Sequence, residues 1–283
     1  MIYDCFMYHG TETDARLLEL RLELLAPVVD LFVLVEATRT HAGAEKPLYY
    51  RERDQHRPRI APYTERIIHV GMADLPVDAS PLTRENVQRA GMHRGLALAS
   101  GDDWVLVSDL DELPRPEAVA AIAQTDGGQV FLFDQRLSYY YVNCVTPEPW
   151  YGTRMARVKS FSTTQTLRHA SGDRVRNAGW HMSYLGGVAE VQAKLAAYLH
   201  QEYNTPGITD PAHIERAMRE ATDLFDRPGM TYQIMPLDQS FPAPLLANPD
   251  RYADWFAPGT FLHQSASIDA ELMPIDAKTE PRP

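Results

Sequence analysis

The sequence predicts an α/β domain with a mostly parallel central sheet flanked by helices, and three observations predict it. Strand-like apolar runs alternate with helical stretches from the N-terminus to Asp109. The run over residues 28–36 is nearly all apolar, as a strand covered on both faces is. A further run, Trp104-Val105-Leu106-Val107, stops in Ser108-Asp109-Leu110-Asp111-Glu112 and is closed by Pro114 and Pro116, so an apolar strand carries its polar groups at its carboxyl end, where ligands of such sheets lie.

The elements follow in order. Residues 2–8 read as a strand, and 13–25 as a helix, with Leu17, Leu18, Leu20, Leu22, Leu24 and Leu25 set among charges. The strand at 28–36 ends in Glu36. A loop with Gly43 and Pro47 precedes a strand at 66–70 and a helix at 83–100, which leads into the acid-tipped strand. Pro114, Pro116 and Glu117 open a helix through Ala118-Val119-Ala120-Ala121-Ile122-Ala123. Strands at 129–133 and 137–142 come next, then loop chemistry at 147–152, strands at 155–159 and 179–185, and helices at 188–199 and 211–225. Beyond Phe241 proline and polar residues dominate. The expected organisation is one domain over residues 1–265 and a mobile or surface tail over 266–283.

With 45% hydrophobic residues in 283, the chain can bury a sizeable core. Lys and Arg total 27 against 38 acids, a net charge of −11, which argues against nucleic acid or an anionic membrane as the main partner. Cys5 and Cys144 are the only cysteines, which gives no disulfide framework and suits a reducing compartment, by default the cytoplasm. No leader pattern opens the chain and no apolar run is long enough to span a bilayer, since residues 17–25 are broken by Glu19, Arg21 and Glu23. Gly71, Gly91, Gly95 and Gly101 lack dinucleotide-fold spacing, and there is no Gly-rich phosphate loop.

Asp109, Asp111 and Glu112 place three carboxylates within four positions, where like charges repel unless neutralised. One acid could cap the following helix; three exceed that need. Asp109 and Asp111 lie on the same side of an extended backbone, so both can bind one divalent cation that also holds a diphosphate. A metal-dependent enzyme acting on a nucleotide or phosphate ester is expected. Gly179-Trp180-His181 is a second informative run: glycine permits close backbone approach, tryptophan offers a flat face to a sugar ring and histidine a metal nitrogen.

Six stretches occur in a recognisable order: Tyr3-Asp4-Cys5-Phe6, Glu19-Leu20-Arg21-Leu22, Val29-Asp30-Leu31-Phe32-Val33-Leu34-Val35-Glu36, Lys46-Pro47-Leu48, Ser108-Asp109-Leu110-Asp111-Glu112-Leu113-Pro114 and Gly179-Trp180-His181-Met182-Ser183-Tyr184. Together, over residues 1–205, they resemble glycosyltransferase family seventeen, the β-1,4-mannosyl-glycoprotein 4-β-N-acetylglucosaminyltransferases. The resemblance implies a GT-A fold and inverting transfer of N-acetylglucosamine from a UDP-sugar donor, with Mn²⁺ or Mg²⁺ bridging the diphosphate. It makes Asp109 and Asp111 the metal and diphosphate pair, with Asp111 catalytic, and sets Glu112 and Trp180 in the donor pocket. Glu36 becomes a nucleoside contact, or else a solvated strand end. Arg89 either reaches the diphosphate or balances the aspartates, whereas Arg84 and Arg94 read as a solvated helix face. His181 completes the metal coordination or is structural.

From Lys194 the family pattern runs to an acid eight residues on, here Glu202, the expected catalytic base, with Asp134, Glu148 and Asp173 as rivals. Tyr139-Tyr140-Tyr141 with Trp150 and Tyr151 can line an acceptor cleft or belong to the core. Without an anchor or a secretory pattern, the implied acceptor is a polysaccharide intermediate, a small molecule or a cytoplasmic acceptor rather than a bisected N-glycan. Two other readings start from the same acids. A phosphatase of the haloacid-dehalogenase kind would use Asp109 as nucleophile, but it wants Thr or Ser after the second Asp, where Glu112 and Leu113 stand. A non-catalytic sugar-binding module with a structural metal leaves the β/α units leading into the acids unexplained.

Overall fold

The computed structural model describes residues 1–260. The tail expected at 266–283, and the boundary at 265, lie outside the described residues. Ten strands form one sheet: β1 (Ile2–Tyr8), β2 (Leu31–Ala37), β3 (Ile67–Met72), β4 (Trp104–Asp109), β5 (Glu112–Pro114), β6 (Phe131–Tyr139), β7 (Cys144–Val145), β8 (Arg154–Arg157), β9 (Asp173–Ser183) and β10 (Gln233–Ile234). Their order is β10-β7-β6-β8-β4-β1-β2-β3, with β9 pairing both β5 and β6. The β3-β2-β1-β4 half is wholly parallel, and β6 runs parallel to β9. Strand β8 lies antiparallel between β4 and β6, and β5 antiparallel to β9. The α/β class holds, and the expected parallel character belongs to the first half. In the second, β6, β7 and β8 follow one another without an intervening helix, and the pairings among them are antiparallel.

Helices cover both faces: α1 (Glu12–Leu25), α2 (Tyr49–Glu52), α3 (Pro81–Gly91), α4 (Pro116–Ala123), α5 (Thr164–Arg168), α6 (Gly187–Ala197), α7 (Pro211–Glu220) and α8 (Ala243–Ala247). The leucines of α1 pack with Val119 and Ile122 of α4 and Leu245 of α8 on one face of the sheet. Met92, Leu96 and Leu167 fill the other against Val33, Val35, Val105 and Val107. The helix expected over 83–100 is α only to Gly91 and continues as a 3-10 turn, Met92–Leu96. A Cβ at Gly91 would meet Met72 Sδ at 2.3 Å, and one at Gly95 would meet Val33 Cγ1 at 2.3 Å, so both glycines let this segment press onto the sheet. The helix expected over 211–225 stops at Glu220, where Ala221 turns left-handed at φ 49°. No helix among the described residues is long and apolar enough to cross a membrane.

Two charged residues of α1 are not solvated. Glu19 is 3% and Arg21 0% exposed. Arg21 is fixed by Asp4 Oδ1 and Oδ2 at 2.6 and 2.7 Å, and it donates to the carbonyls of Asp109, Leu110 and Glu112 and to Ser108 Oγ. A buried guanidinium thus satisfies the turn that ends β4, whose carbonyls would otherwise face an apolar core.

Candidate active site

The carboxyl ends of β1, β4, β6 and β9 open into one cleft of about 450 Å³. Asp109 and Asp111 enter it from the end of β4, Tyr139 from β6, His181 from β9, Lys194 from α6 and Asp14 from the first turn of α1. The position is the one parallel strands dictate for a ligand.

The acid cluster is neutralised by the protein's own cations. Asp109 Oδ1 accepts from Arg89 at 3.1 Å and Oδ2 from Arg168 at 3.0 Å. Burial pushes the Asp109 carboxyl up, but Arg168 and then Arg89 outweigh it and bring its pKa down to about 2. Asp111 Oδ2 accepts from Lys194 Nζ at 2.8 Å, and Oδ1 stands 3.6 Å from His181 Nε2. Burial opposes ionisation there too, and Lys194 with His181 holds Asp111 below the usual carboxylate range. Two arginines thus balance the charge of Asp109 within the protein. An arginine on each oxygen stabilises the Asp109 anion, which makes it a poorer nucleophile for the phosphatase reading.

Glu112 corrects its expected place in the donor pocket. It is fully buried: Oε1 accepts from Trp150 Nε1 at 2.6 Å, and both oxygens accept from Arg168, at 2.8 and 2.6 Å. Oε2 also accepts the Asp109 N–H at 3.0 Å and the Thr153 hydroxyl at 3.3 Å. Its work is to fix Arg168, the acid turn and the Trp150 indole.

Glu36 is likewise buried rather than facing a nucleoside, its oxygens taken by Lys46 Nζ at 3.0 Å and by the N–H groups of Tyr49 and Tyr50 at 2.7 and 3.0 Å. It caps α2. Arg89 does the balancing of its two expected roles, bridging Glu85 at 2.5 Å and Asp109, with its side chain 4% exposed. Arg84 is buried too, donating to the carbonyls of Pro76, Val77 and His41.

Residues on β9 alternate in facing. Trp180 points into the core, 3% exposed, donating to the Ser240 carbonyl at 3.0 Å beneath the Arg115 guanidinium, so it offers no face to a sugar. Its neighbour His181 points into the cleft. A Cβ at Gly179 would lie 2.2 Å from the Leu113 carbonyl oxygen, so the close approach that this glycine permits is to β5 and not to a ligand.

Glu202 does not reach the cleft. Its side chain is 62% exposed and bonds His200 Nδ1 at 2.7 Å, on a 3-10 turn whose open backbone lets the acid point to solvent. Its rivals lie elsewhere: Asp134 faces Arg174 at 3.4 Å, Asp173 pairs opposite Phe131 at the far end of β9, and Glu148 is exposed on its loop. Of the expected aromatics, Tyr139 and Trp150 line the cleft, whereas Tyr140 is buried and Tyr151 sits under Arg174. Tyr184 stacks on Tyr139 at 5.5 Å and 17°, and Tyr198, Tyr203 and Phe225 extend this wall. Arg21, Arg168, Asp14 and Glu190 are site residues that the sequence reading did not single out. Only Arg21 carried a signal, as a charge within an otherwise leucine-rich motif.

Among the described residues no three His, Cys, Asp or Glu side chains group into a cage for a metal ion. Asp111 Oδ1 and His181 Nε2, at 3.6 Å, are too far apart for a hydrogen bond and near enough to touch one ion. His181 Nδ1 is buried with no hydrogen-bond partner, and the ring packs against Trp150 at 4.9 Å, which holds Nε2 toward Asp111. An oxygen and an imidazole nitrogen fit a hard cation that fills its remaining positions with phosphate oxygens and water.

Against solved structures, the chain is similar to an active-site mutant of LgtC, at 14% identity over 56% of this chain and 58% of that one, TM-score 0.32. It is also similar to the galactosyltransferase LgtC in complex with donor and acceptor sugar analogues, at 16% identity over 56% and 58%, TM-score 0.31. A third is glucosyl-3-phosphoglycerate synthase from Mycobacterium tuberculosis in complex with Mn²⁺, UDP-glucose and glycerol 3-phosphate, at 16% identity over 49% and 44%, TM-score 0.28. The chain thus spans under two thirds of each of these proteins, and at such TM-scores the likenesses say nothing of mechanism. No curated protein matches the chain. The profile of glycosyltransferase family 17 matches residues 1–241, most of the 283, and the chain belongs to that family of transferases.

Proposed function

We propose that the chain transfers a sugar, N-acetylglucosamine, from a UDP donor to a hydroxyl of a glycan or small-molecule acceptor, with inversion and with Mn²⁺ or Mg²⁺ held by Asp111 and His181. The observation that carries this reading is Asp111, ionised at the carboxyl end of β4 inside the cleft, with one oxygen turned to His181 and the other to Lys194. Family membership supports a sugar transfer, and UDP and N-acetylglucosamine are our reading of the resemblance to the N-acetylglucosaminyltransferases. When bound, the cation offsets the negative charge growing on the leaving diphosphate.

The chain's own residues do the rest. Lys194, its pKa raised above the ordinary lysine value because Asp111 outweighs the effect of burial, stays charged and adds a second positive centre beside the diphosphate. Arg89 and Arg168 keep Asp109 in one orientation, so the turn need not reorganise when the donor binds. Trp150, exposed at the cleft, gives a flat face for the acceptor sugar, and the buried Tyr139-Tyr184 stack backs the wall behind it. Buried free Cys5 and Cys144 suit a reducing compartment, in keeping with a cytoplasmic acceptor.

Carboxylates in the cleft, Asp14, Asp111 and Glu190 among them, repel a diphosphate unless a cation intervenes. Calorimetry is therefore expected to show UDP binding with Mn²⁺ and far weaker binding in EDTA. Equal affinity in EDTA, or a preference for GDP, would overturn the donor and metal assignment.

A further inference from the structure

Five carboxylates line the cleft: Asp14, Glu85, Asp109, Asp111 and Glu190. A general base needs a carboxylate oxygen that no cation holds, because an adjacent positive charge stabilises the anion and weakens it as a base. Asp109 is held by Arg89 and Arg168, Asp111 by Lys194, and Glu85 by Arg89. Asp14 and Glu190 remain, and they meet around the N-terminus of α1. Glu190 Oε2 hangs on the Thr13 N–H at 3.2 Å, whereas Asp14 Oδ2 accepts the N–H groups of both Gly10 and Thr11 at 3.0 Å.

Two backbone donors on one oxygen fix the Asp14 carboxyl on a rigid helix start. Among the described residues its Oδ1 takes no hydrogen bond. A base must be held in place and still have an oxygen to offer, and Asp14 meets both conditions better than Glu190, whose longer side chain hangs on one longer bond.

We propose that Asp14 is the general base of the transfer, receiving the acceptor hydroxyl's proton on Oδ1; the proposal rests on the reading of the cleft given above. The hydroxyl oxygen's lone pair forms the bond to the anomeric carbon of the sugar on the face opposite the diphosphate. The bond from that carbon to the diphosphate oxygen breaks, and its electron pair leaves on UDP. The proton ends on Asp14, and the products are the inverted glycoside and UDP.

The surroundings of Asp14 suit that task. Burial pushes its carboxyl up to about 6, with the Thr11 N–H and Lys194 pulling against burial and Asp111 adding to it. The charged and titratable groups facing it are Lys194 and Glu190 from α6, Asp111 beyond β4, Tyr8 from β1 and Lys46 after β2. Asp14 is active when ionised, so turnover is lost as pH falls below about 6.

Asp14→Asn separates a base from a helix cap, since an amide oxygen still accepts the Gly10 and Thr11 N–H groups but takes no proton. Full-length wild type and D14N are compared, with Mn²⁺ present, for UDP affinity by calorimetry, for Tm, and for UDP release from UDP-N-acetylglucosamine with water as the acceptor probe. The expected result is unchanged Tm, UDP affinity within about twofold, UDP release lower by roughly 10²–10⁴-fold, and loss of the acid limb of the pH profile. Turnover within about threefold of wild type, or UDP affinity falling in step with turnover, would overturn the proposal. If D14N does not fold, Asp14→Ser, which keeps a capping oxygen without a proton sink, is judged by the same criteria. Failure of the wild type to bind UDP would instead remove the donor assignment, and the two failures are distinct.

Discussion

Asp111→Asn is expected to lose turnover by roughly 10³-fold or more while remaining folded. The amide keeps a hydrogen-bond acceptor for Lys194, whose ammonium sits 2.8 Å from Asp111, but removes the negative charge that a cation and the His181 side of the site require. Asp111→Ala is the harsher change, since it leaves the half-buried Lys194 without its counter-charge. UDP release and Tm measured together decide the matter. Turnover within about tenfold of wild type would mean that Asp111 is a structural acid. Coincident loss of fold and activity in the asparagine variant would mean the same.

Glu112→Ala is expected to cost about 3–5 kcal/mol of stability. The carboxylate is fully buried and receives Arg168 twice, the Trp150 indole, the Thr153 hydroxyl and the Asp109 N–H. Removing it strands a guanidinium whose side chain is 9% exposed, and that charge must then be hydrated inside the protein or hold the turn on Asp109 alone. Urea unfolding reads the loss directly. Unchanged stability with weakened UDP binding would return Glu112 to the donor pocket.

Much of the fold was legible because local pattern and tertiary environment agree in the first half: the buried parallel strands read as unbroken apolar runs, and β4 announced its carboxyl end by its acids. The second half read less well. Strand β9 runs from Asp173, but only its last residues carry an apolar pattern, because Asp173 and Arg174 are half-buried and Arg176 and Asn177 exposed. At the site, Asp111 and His181 were recognisable from residue type at a strand end. Arg168, which neutralises Asp109 and Glu112 from 59 and 56 positions away, was not, since nothing near it in sequence marks a charge as buried. Asp14 was hidden for the opposite reason: an acid three residues after Thr11 is what a helix start ordinarily shows, and its cleft-facing oxygen appears only in three dimensions. Trp180 and His181 show how one residue of register separates a core side chain from a site side chain on the same strand.

Where the cation and the diphosphate sit decides the role of every side chain in the cleft. A crystal of the full chain grown with UDP and Mn²⁺, measured at the manganese absorption edge, answers this with one anomalous map. The predicted peak lies between Asp111 Oδ1 and His181 Nε2, with UDP in the cleft and Asp109 still bound to Arg89 and Arg168. A peak on Asp109 with its arginines displaced, or UDP bound in the cleft with no metal peak at all, would contradict it.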